Sequence, residues 1–487
     1  MEPLDNNAPE IFPPPVHGSA PRGLSTAGTV LSACIILAAS VLAVWMSWSS
    51  SRLDSVATPQ AALSLIVGRI MELREAISDR IPWERQLYST LLVSTPREVP
   101  LAIAWYEELV ASSPETIPNV ELAILEAEAG LARKVADRLS EWKQSPGDLP
   151  AFADLLELAY FKFQDSRRPT QNIDFSIFDR LEAGWFRDRL AARLGAVAPN
   201  DVSLDEGRNS SNLLALVRLY TGLISLVVVA GLISIPWVIA RLKSDDTNVA
   251  IGKMTIPPAW NGSTASAIVL RCAALFLMLG VGVGIFTPIL NVSEAAVLVI
   301  AYSIGIIFLL VLSRRFLLDG TNENIGEALG ISAIPGRGVG VASWVALLAG
   351  AGFLGDLGII WLADTLEISV HWTEWFDEHL VWGDSLNLNL MLIAVIAVGP
   401  IFEELLFRGL IFGTVRQYFS FPAAAALSAG AFSIVHGYSM VGFVALLWTG
   451  FLWAWSVEKT RSLLPAMIAH GVNNLLMSFM LIIFLRE

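Results

Sequence analysis

Nine apolar runs of membrane-spanning length, the last eight separated by short polar gaps, leave this chain few ways to fold. The first, 23–51, carries no charged residue, and ~20 apolar residues already suffice to cross a bilayer. The other eight run roughly over 213–240, 272–290, 295–313, 338–361, 386–412, 421–436, 440–457 and 463–484. Backbone N–H and C=O groups in hydrocarbon must be satisfied within their own segment, and runs of this length do that as helices. The reading is an all-α polytopic membrane protein with about nine transmembrane helices. Composition agrees, with 54% hydrophobic and 16% charged residues and a mean hydropathy of +0.59. A net charge of -13 argues against a nucleic-acid partner, because little here would neutralise phosphates. Cys34 and Cys272 both lie inside apolar stretches, which argues against a disulfide framework or a cysteine metal site.

The chain divides by composition. Residues 1–22 are polar and proline-rich and read as a disordered cytoplasmic tail. Residues 23–51 read as a transmembrane anchor, since the apolar run is longer than a cleavable leader needs and is preceded closely by only one basic residue, Arg22. From 52 to 212 charges of both signs mix with helical periodicity, which predicts a helical domain inserted after the first span. Helices are expected over Arg97–Ser113, Asn119–Gly130, Leu131–Gln144 and Leu149–Phe163. The recurrence of Ser112–Pro114 in Gln144–Pro146 falls near the tetratricopeptide period. Residues 213–384 then supply the first bundle helices and 385–487 the last.

Arg241, Lys243, Arg314, Arg315, Arg337, Arg416, Lys459 and Arg461 all flank alternate gaps between runs. The opposite gaps, Asn291–Glu294, Asp364–Asp384 and Gly437–Ser439, hold no Lys or Arg. One orientation satisfies the positive-inside rule throughout: N-terminus cytoplasmic, with the C-terminus and the 52–212 domain extracytoplasmic. In the Asp364–Asp384 gap His371, Trp372, Trp375, His379 and Trp382 read as an interfacial aromatic belt with an acidic outer face.

One run is interrupted by charge. Glu403, Glu404 and Arg408 fall within six positions of a membrane segment, where each charge costs ~2.5–3.5 kcal/mol on insertion scales. Glu404 and Arg408 stand i,i+4 with the acid first, the favourable order for an ion pair. Glu403 lies ~100° away on an α-helix and need not share that arginine. His436 ends a later run, and His470 and Asn474 stand i,i+4 on the last. A free carboxylate and an imidazole can activate water, and a His N–H with an Asn amide can donate to an oxyanion. Glu403, His436 and His470 are equally donors that a divalent metal such as Zn accepts, so a metal-free and a metal-assisted hydrolysis both fit the residues. At 1.5 Å per residue Glu403, His470 and His436 lie ~14, ~10 and ~20 Å from the cytoplasmic ends of their segments, which predicts a site opening to the cytoplasm or the midplane.

The ordered set Glu403-Glu404-x-x-x-Arg408, Phe432-x-x-x-His436 and His470-x-x-x-Asn474 resembles the motifs of the CAAX-protease and bacteriocin-processing (Abi) family, which are intramembrane endopeptidases. The resemblance covers about 385–485. It implies that Glu403 and His436 activate the water, that His470 and Asn474 form the oxyanion hole, and that Glu404 and Arg408 support them. It also implies a peptide or membrane-protein substrate, with membrane lipid around the site. The region before 213 lies outside the resemblance; there a partner-binding role for 52–212 stands beside the enzyme reading. In that alternative the chain is a membrane scaffold and the polar cluster holds helices together.

Overall fold

The computed structural model describes residues 24–49, 51–91, 97–113, 115–162, 175–195, 206–244, 249–290 and 292–486, with no strand among the described residues. The proposed tail, His17 included, lies outside them. Helix α1 (Thr26–Ser49) crosses first. The helical domain follows as α2 (Pro59–Ser78), α3 (Pro82–Leu91), α4 (Glu98–Ser112), α5 (Thr116–Glu128), α6 (Ala132–Trp142), α7 (Leu149–Glu157) and α8 (Trp185–Leu194). The chain then stays in the membrane as α9 (Glu206–Leu242), α10 (Gly262–Leu290), α11 (Glu294–Leu312) and α12 (Gly338–Thr365). It ends with α13 (Ser385–Val415), α14 (Phe421–His436), α15 (Met440–Thr460) and α16 (Leu464–Leu485). Among the described residues eight helices are long and apolar enough to span, and α14, at 16 residues, is a shorter apolar helix in the ninth place. The protein is an all-α, multi-pass integral membrane protein.

Most element boundaries fall within three residues of expectation, and the exceptions have physical causes. Helix α10 begins ten residues before the expected 272, because Arg271 reads as a polar stop. In the fold its guanidinium donates to Thr29 Oγ1 of α1 and to the Ser25 carbonyl just before it, both at 2.9 Å, so the helix carries the charge through. The domain boundary at 212 falls inside α9, which runs unbroken from Glu206 into the membrane. Helix α7 ends at Glu157 and passes into a π-helical turn, Leu158–Lys162.

Hydrogen bonds between connections sort the two faces of the bundle. On one face Arg97 meets Glu367 at 2.7 Å, Ser439 N donates to Glu374 at 3.0 Å and Arg486 donates to the Gly383 carbonyl at 2.6 Å. This face carries the helical domain. On the other, Ile251 N donates to the Thr460 carbonyl at 2.7 Å, Leu463 N to Gly330 at 2.8 Å and Gln417 to Pro258 at 2.8 Å. The segment 366–384 is the seat of the domain. Trp372 is fully buried in the domain's own core cluster, and His371 Nε2 lies 3.2 Å from Glu108 of α4. Trp372 therefore serves a protein–protein contact and not the lipid interface expected of it; of the three tryptophans in this segment only Trp382 is substantially exposed, at 41%.

Inside the domain the helical hairpins close over Tyr106, Leu109, Phe152, Phe178 and Leu190. Two carboxylates, one buried and one half-buried, fix the packing with opposite pH dependence. Glu128 accepts from Arg189, Arg193 and Tyr160, and these donors hold its carboxyl at about 2 against the opposing pull of burial. Burial pushes Glu121 up to about 7, opposed by hydrogen bonds from Ser64 and Tyr106. A depressed folded value means that the Glu128 contribution is present above the ordinary carboxylate range and is lost as pH falls toward about 2. A raised one means that the Glu121 contribution is full below that range and is lost as pH rises through about 7. Hydrogen exchange of α5 in the full-length protein should therefore accelerate between pH 5 and 8 after correction for intrinsic rate, and Glu121→Gln should abolish that trend. An unchanged slope in the variant would refute the assignment.

Candidate active site

Helix α13 is not a uniform α-helix, and the reason is in its sequence. Asp384 caps it by accepting from Asn387 N at 2.8 Å. Pro400, sixteen residues on, has no N–H to give to the preceding turn. The chain answers with a π turn over Ala394–Val398 in which the Gly399 N–H reaches back to the Ala394 carbonyl. A widened turn leaves carbonyls without their usual helical donor, and in hydrocarbon each must find another. Asn474 Nδ2 of α16 donates to the Val395 carbonyl at 2.7 Å. The proline at 400 and the asparagine at 474 are thus linked through one backbone oxygen.

Beyond that turn the helix presents Glu403 and Glu404 to different surroundings. Glu404 is sealed, with 0% exposure, and its Oε1 accepts from Arg408 at 3.0 Å and faces His470 Nδ1 at 3.1 Å. A second π-helical stretch, Leu405–Phe412, does not disturb the i,i+4 pair that the sequence predicts. Glu403 retains 15% exposure and makes no pair with Arg408. Its Oε1 accepts from Tyr302 of α11 at 3.2 Å, and its Oε2 lies 3.6 Å from His470 Nε2. His470 therefore stands between the two carboxylates. Because a carboxylate can only accept, its Nδ1 carries the proton toward Glu404.

Arg408 has no exposure, and its guanidinium lies 4.4 Å from the Phe432 ring centroid and 5.0 Å from that of Trp453. Desolvated cation–π contacts of this kind are worth ~2 kcal/mol each, which offsets part of the cost of a buried charge. Trp453 in turn stacks on His470, with centroids 4.1 Å apart. Phe432 lies between the two histidines, 4.6 Å from His436 and 5.8 Å from His470. His436 Nδ1 donates to the Phe432 carbonyl at 2.8 Å, one turn back along α14, so its Nε2 is left with a lone pair. Glu403, Glu404, Arg408 and His470 are thus brought into direct contact, His436 joins them through Phe432, and Asn474 meets α13 at the Val395 turn.

His436 stands far from the start of its helix, in keeping with its ~20 Å depth in the sequence reading. Helix α14 ends at His436 on the domain-bearing face, where the next residues, Gly437–Ser439, are tied to Glu374. Tyr438 in that turn is 42% exposed and its ring lies 5.8 Å from His436. The imidazole therefore enters from the face that carries the helical domain, not from the opposite, arginine-rich one. Among the described residues no three His, Cys, Asp or Glu side chains are grouped to hold a metal ion, Glu403, His436 and His470 included.

Residues 385–476 match the family model described as type II CAAX prenyl endopeptidase, Rce1-like. The match is confined to the C-terminal part of the chain. Glu403, Glu404, Arg408, His436, His470 and Asn474 all lie within the matched residues. A stretch of 85 residues is also 33% identical to the Bacillus subtilis (strain 168) protein named "Putative membrane peptidase YdiL", covering 18% of this chain and 34% of that protein. The chain thus spans about a third of the length of the relative it matches. No solved structure matches the chain. Tyr302 lies outside the residues that match the family model, and nothing in its local sequence marks it, because an aromatic in a spanning helix is unremarkable until a carboxylate is placed beside it.

The packing around Arg408 gives a sharp test. A Cβ at Gly450 of α15 would lie 2.7 Å from Arg408 Nη2 and 3.0 Å from Ala429 Cβ, whereas one at Gly430 would meet nothing within 4 Å. Gly450→Ala should destabilise the detergent-solubilised protein by ~1–3 kcal/mol through overpacking. Gly430→Ala should be neutral or slightly stabilising, as Ala is the better helix former by up to ~1 kcal/mol. Equal melting temperatures for the two variants would contradict this packing.

Proposed function

We propose that this chain is an intramembrane endopeptidase that cleaves a peptide bond with a water activated by Glu403 and His436. The observation that carries the reading is the unequal treatment of two adjacent glutamates. Glu404 is sealed from solvent with Oε1 held by both Arg408 and His470, while Glu403 keeps 15% exposure and meets no guanidinium. A carboxylate used only to hold helices together would be expected to be paired like its neighbour.

In this mechanism the His436 Nε2 lone pair accepts from a water O–H and holds that water, while Glu403 removes its other proton. The oxygen attacks the scissile carbonyl carbon, and the C=O electron pair becomes an oxyanion. His470 Nε2 and the second N–H of Asn474 are the donors for that charge. Donating from Nε2 while Nδ1 donates to Glu404 requires both ring nitrogens of His470 to carry a hydrogen at this step. The C–N bond then breaks, and the proton held by Glu403 passes to the leaving amine. No step is routed through a metal.

The helical domain supports substrate selection as its role in the same protein. A cavity of about 490 Å³ lies where it meets the membrane segment, lined by Ser64, Arg69, Glu121, Trp185 and Trp382 among others. It stands on the face from which His436 enters the site. A peptide or membrane-protein substrate approaching from this face would meet both.

The test is cleavage of a fluorescence-quenched, prenylated CAAX peptide by the purified full-length protein. Glu403→Gln and His436→Ala should each lower kcat/KM by ~100-fold or more with the melting temperature retained. Arg408→Ala should instead destabilise by ~3–5 kcal/mol, because it leaves Glu404 buried and unpaired. Wild-type rates in the Glu403 and His436 variants would overturn the proposal.

A further inference from the structure

Among the described residues Tyr302 is the one polar side chain that hydrogen-bonds Glu403 from outside the segment matching the CAAX-type family. We propose that it is a positioning residue for the reaction, holding Glu403 so that a single carboxylate oxygen serves as the base. The proposal rests on the endopeptidase reading of Glu403.

The geometry is specific. The Tyr302 O–H donates to Glu403 Oε1 at 3.2 Å, which leaves Oε2 as the oxygen on the His470 side. A glutamate side chain has three rotatable bonds, and with no partner it would spread over several rotamers. One charge-assisted hydrogen bond selects among them. The donor itself cannot wander. The Tyr302 ring packs against Phe276 of α10 at 5.0 Å and against Phe402 at 5.8 Å, and those two rings stack on each other at 5.0 Å. Gly305, one turn further along α11, makes room for the arrangement, since a Cβ there would lie 2.8 Å from the Phe402 ring. Phe402 immediately precedes Glu403 in the chain, so the cluster that fixes the phenol also fixes the backbone that carries the base. Helices α10 and α11 thereby reach the chemistry without contributing a motif residue.

This assignment gives α11 a function distinct from filling space. A residue that only packs would act through its ring, whereas the positioning role resides in the hydroxyl. Tyr302→Phe separates the two, because it removes the O–H and keeps the ring.

The experiment uses full-length protein in detergent and the quenched prenylated CAAX peptide. Tyr302→Phe should lower kcat about tenfold or more, the scale of a hydrogen bond to a charged group, with KM and melting temperature unchanged. In a Glu403→Gln background the same substitution should have no further effect on the residual rate, as expected for two groups that act as a unit. The second readout is independent of turnover: the infrared carboxylate stretch of Glu403, isolated as wild type minus Glu403→Gln, should shift when Tyr302 becomes Phe. A kcat loss with an unmoved band would overturn the proposal, because Tyr302 would then act through packing. An unchanged kcat with an unmoved band would overturn it as well. A band that moves in Tyr302→Phe while Glu403→Gln still cleaves normally would support the contact and defeat the reading of Glu403 as the base, so the two failures are distinguishable.

Discussion

A guanidinium with no exposure, paired with a carboxylate equally sealed, sits inside the membrane bundle and dictates much of what surrounds it. Neither Arg408 nor Glu404 can be tolerated there alone, because separating a buried pair leaves an uncompensated charge. The helices that meet this pair are therefore constrained. Helix α14 supplies Phe432 and α15 supplies Trp453 to cover the guanidinium. Helix α16 supplies His470 to the carboxylate. The three helices that follow α13 are held in register by one ion pair on it, and that register is what brings the histidines toward Glu403. The stability of the cluster and the geometry of the proposed site are the same set of contacts.

The second constraint is the backbone of α13. Pro400 lies two residues after the π turn whose displaced carbonyl Asn474 satisfies. An oxyanion donor must be held by something that is not the substrate, or it would spread over many rotamers. One N–H of Asn474 is committed to Val395, and the side chain is thereby oriented before any substrate arrives. A structural role and a catalytic one are compatible here, since an amide nitrogen has two hydrogens to give.

The helical domain is joined to this machinery by short links. Glu108 meets His371, the same segment buries Trp372 in the domain core, and Glu374 accepts from Ser439 in the turn that follows His436. Three sequence-distant contacts therefore lead from α4 of the domain to the turn beside the imidazole. The domain is seated on the site's own scaffold, consistent with a part in choosing what reaches it.

Much of this was legible in the order of residues. The membrane class follows from the length of uncharged runs, which hydrocarbon thickness alone fixes. The Glu404–Arg408 pair follows from i,i+4 spacing, and it survives even a π-helical stretch because the long arginine side chain adapts. The candidate set Glu403, His436, His470 and Asn474 was visible because charge and imidazole in lipid are costly enough to stand out. What the sequence could not carry were contacts whose partners announce nothing. Tyr302 and Trp453 are ordinary aromatics until tertiary packing sets a carboxylate or an imidazole against them. Trp372 reads as an interfacial residue because period and composition cannot distinguish lipid from another domain. The direction from which His436 enters was decided by where a 16-residue helix ends within the bundle. Local chemistry determined which groups are expensive to bury; only the three-dimensional arrangement decided which of them are paired and which is left free to react.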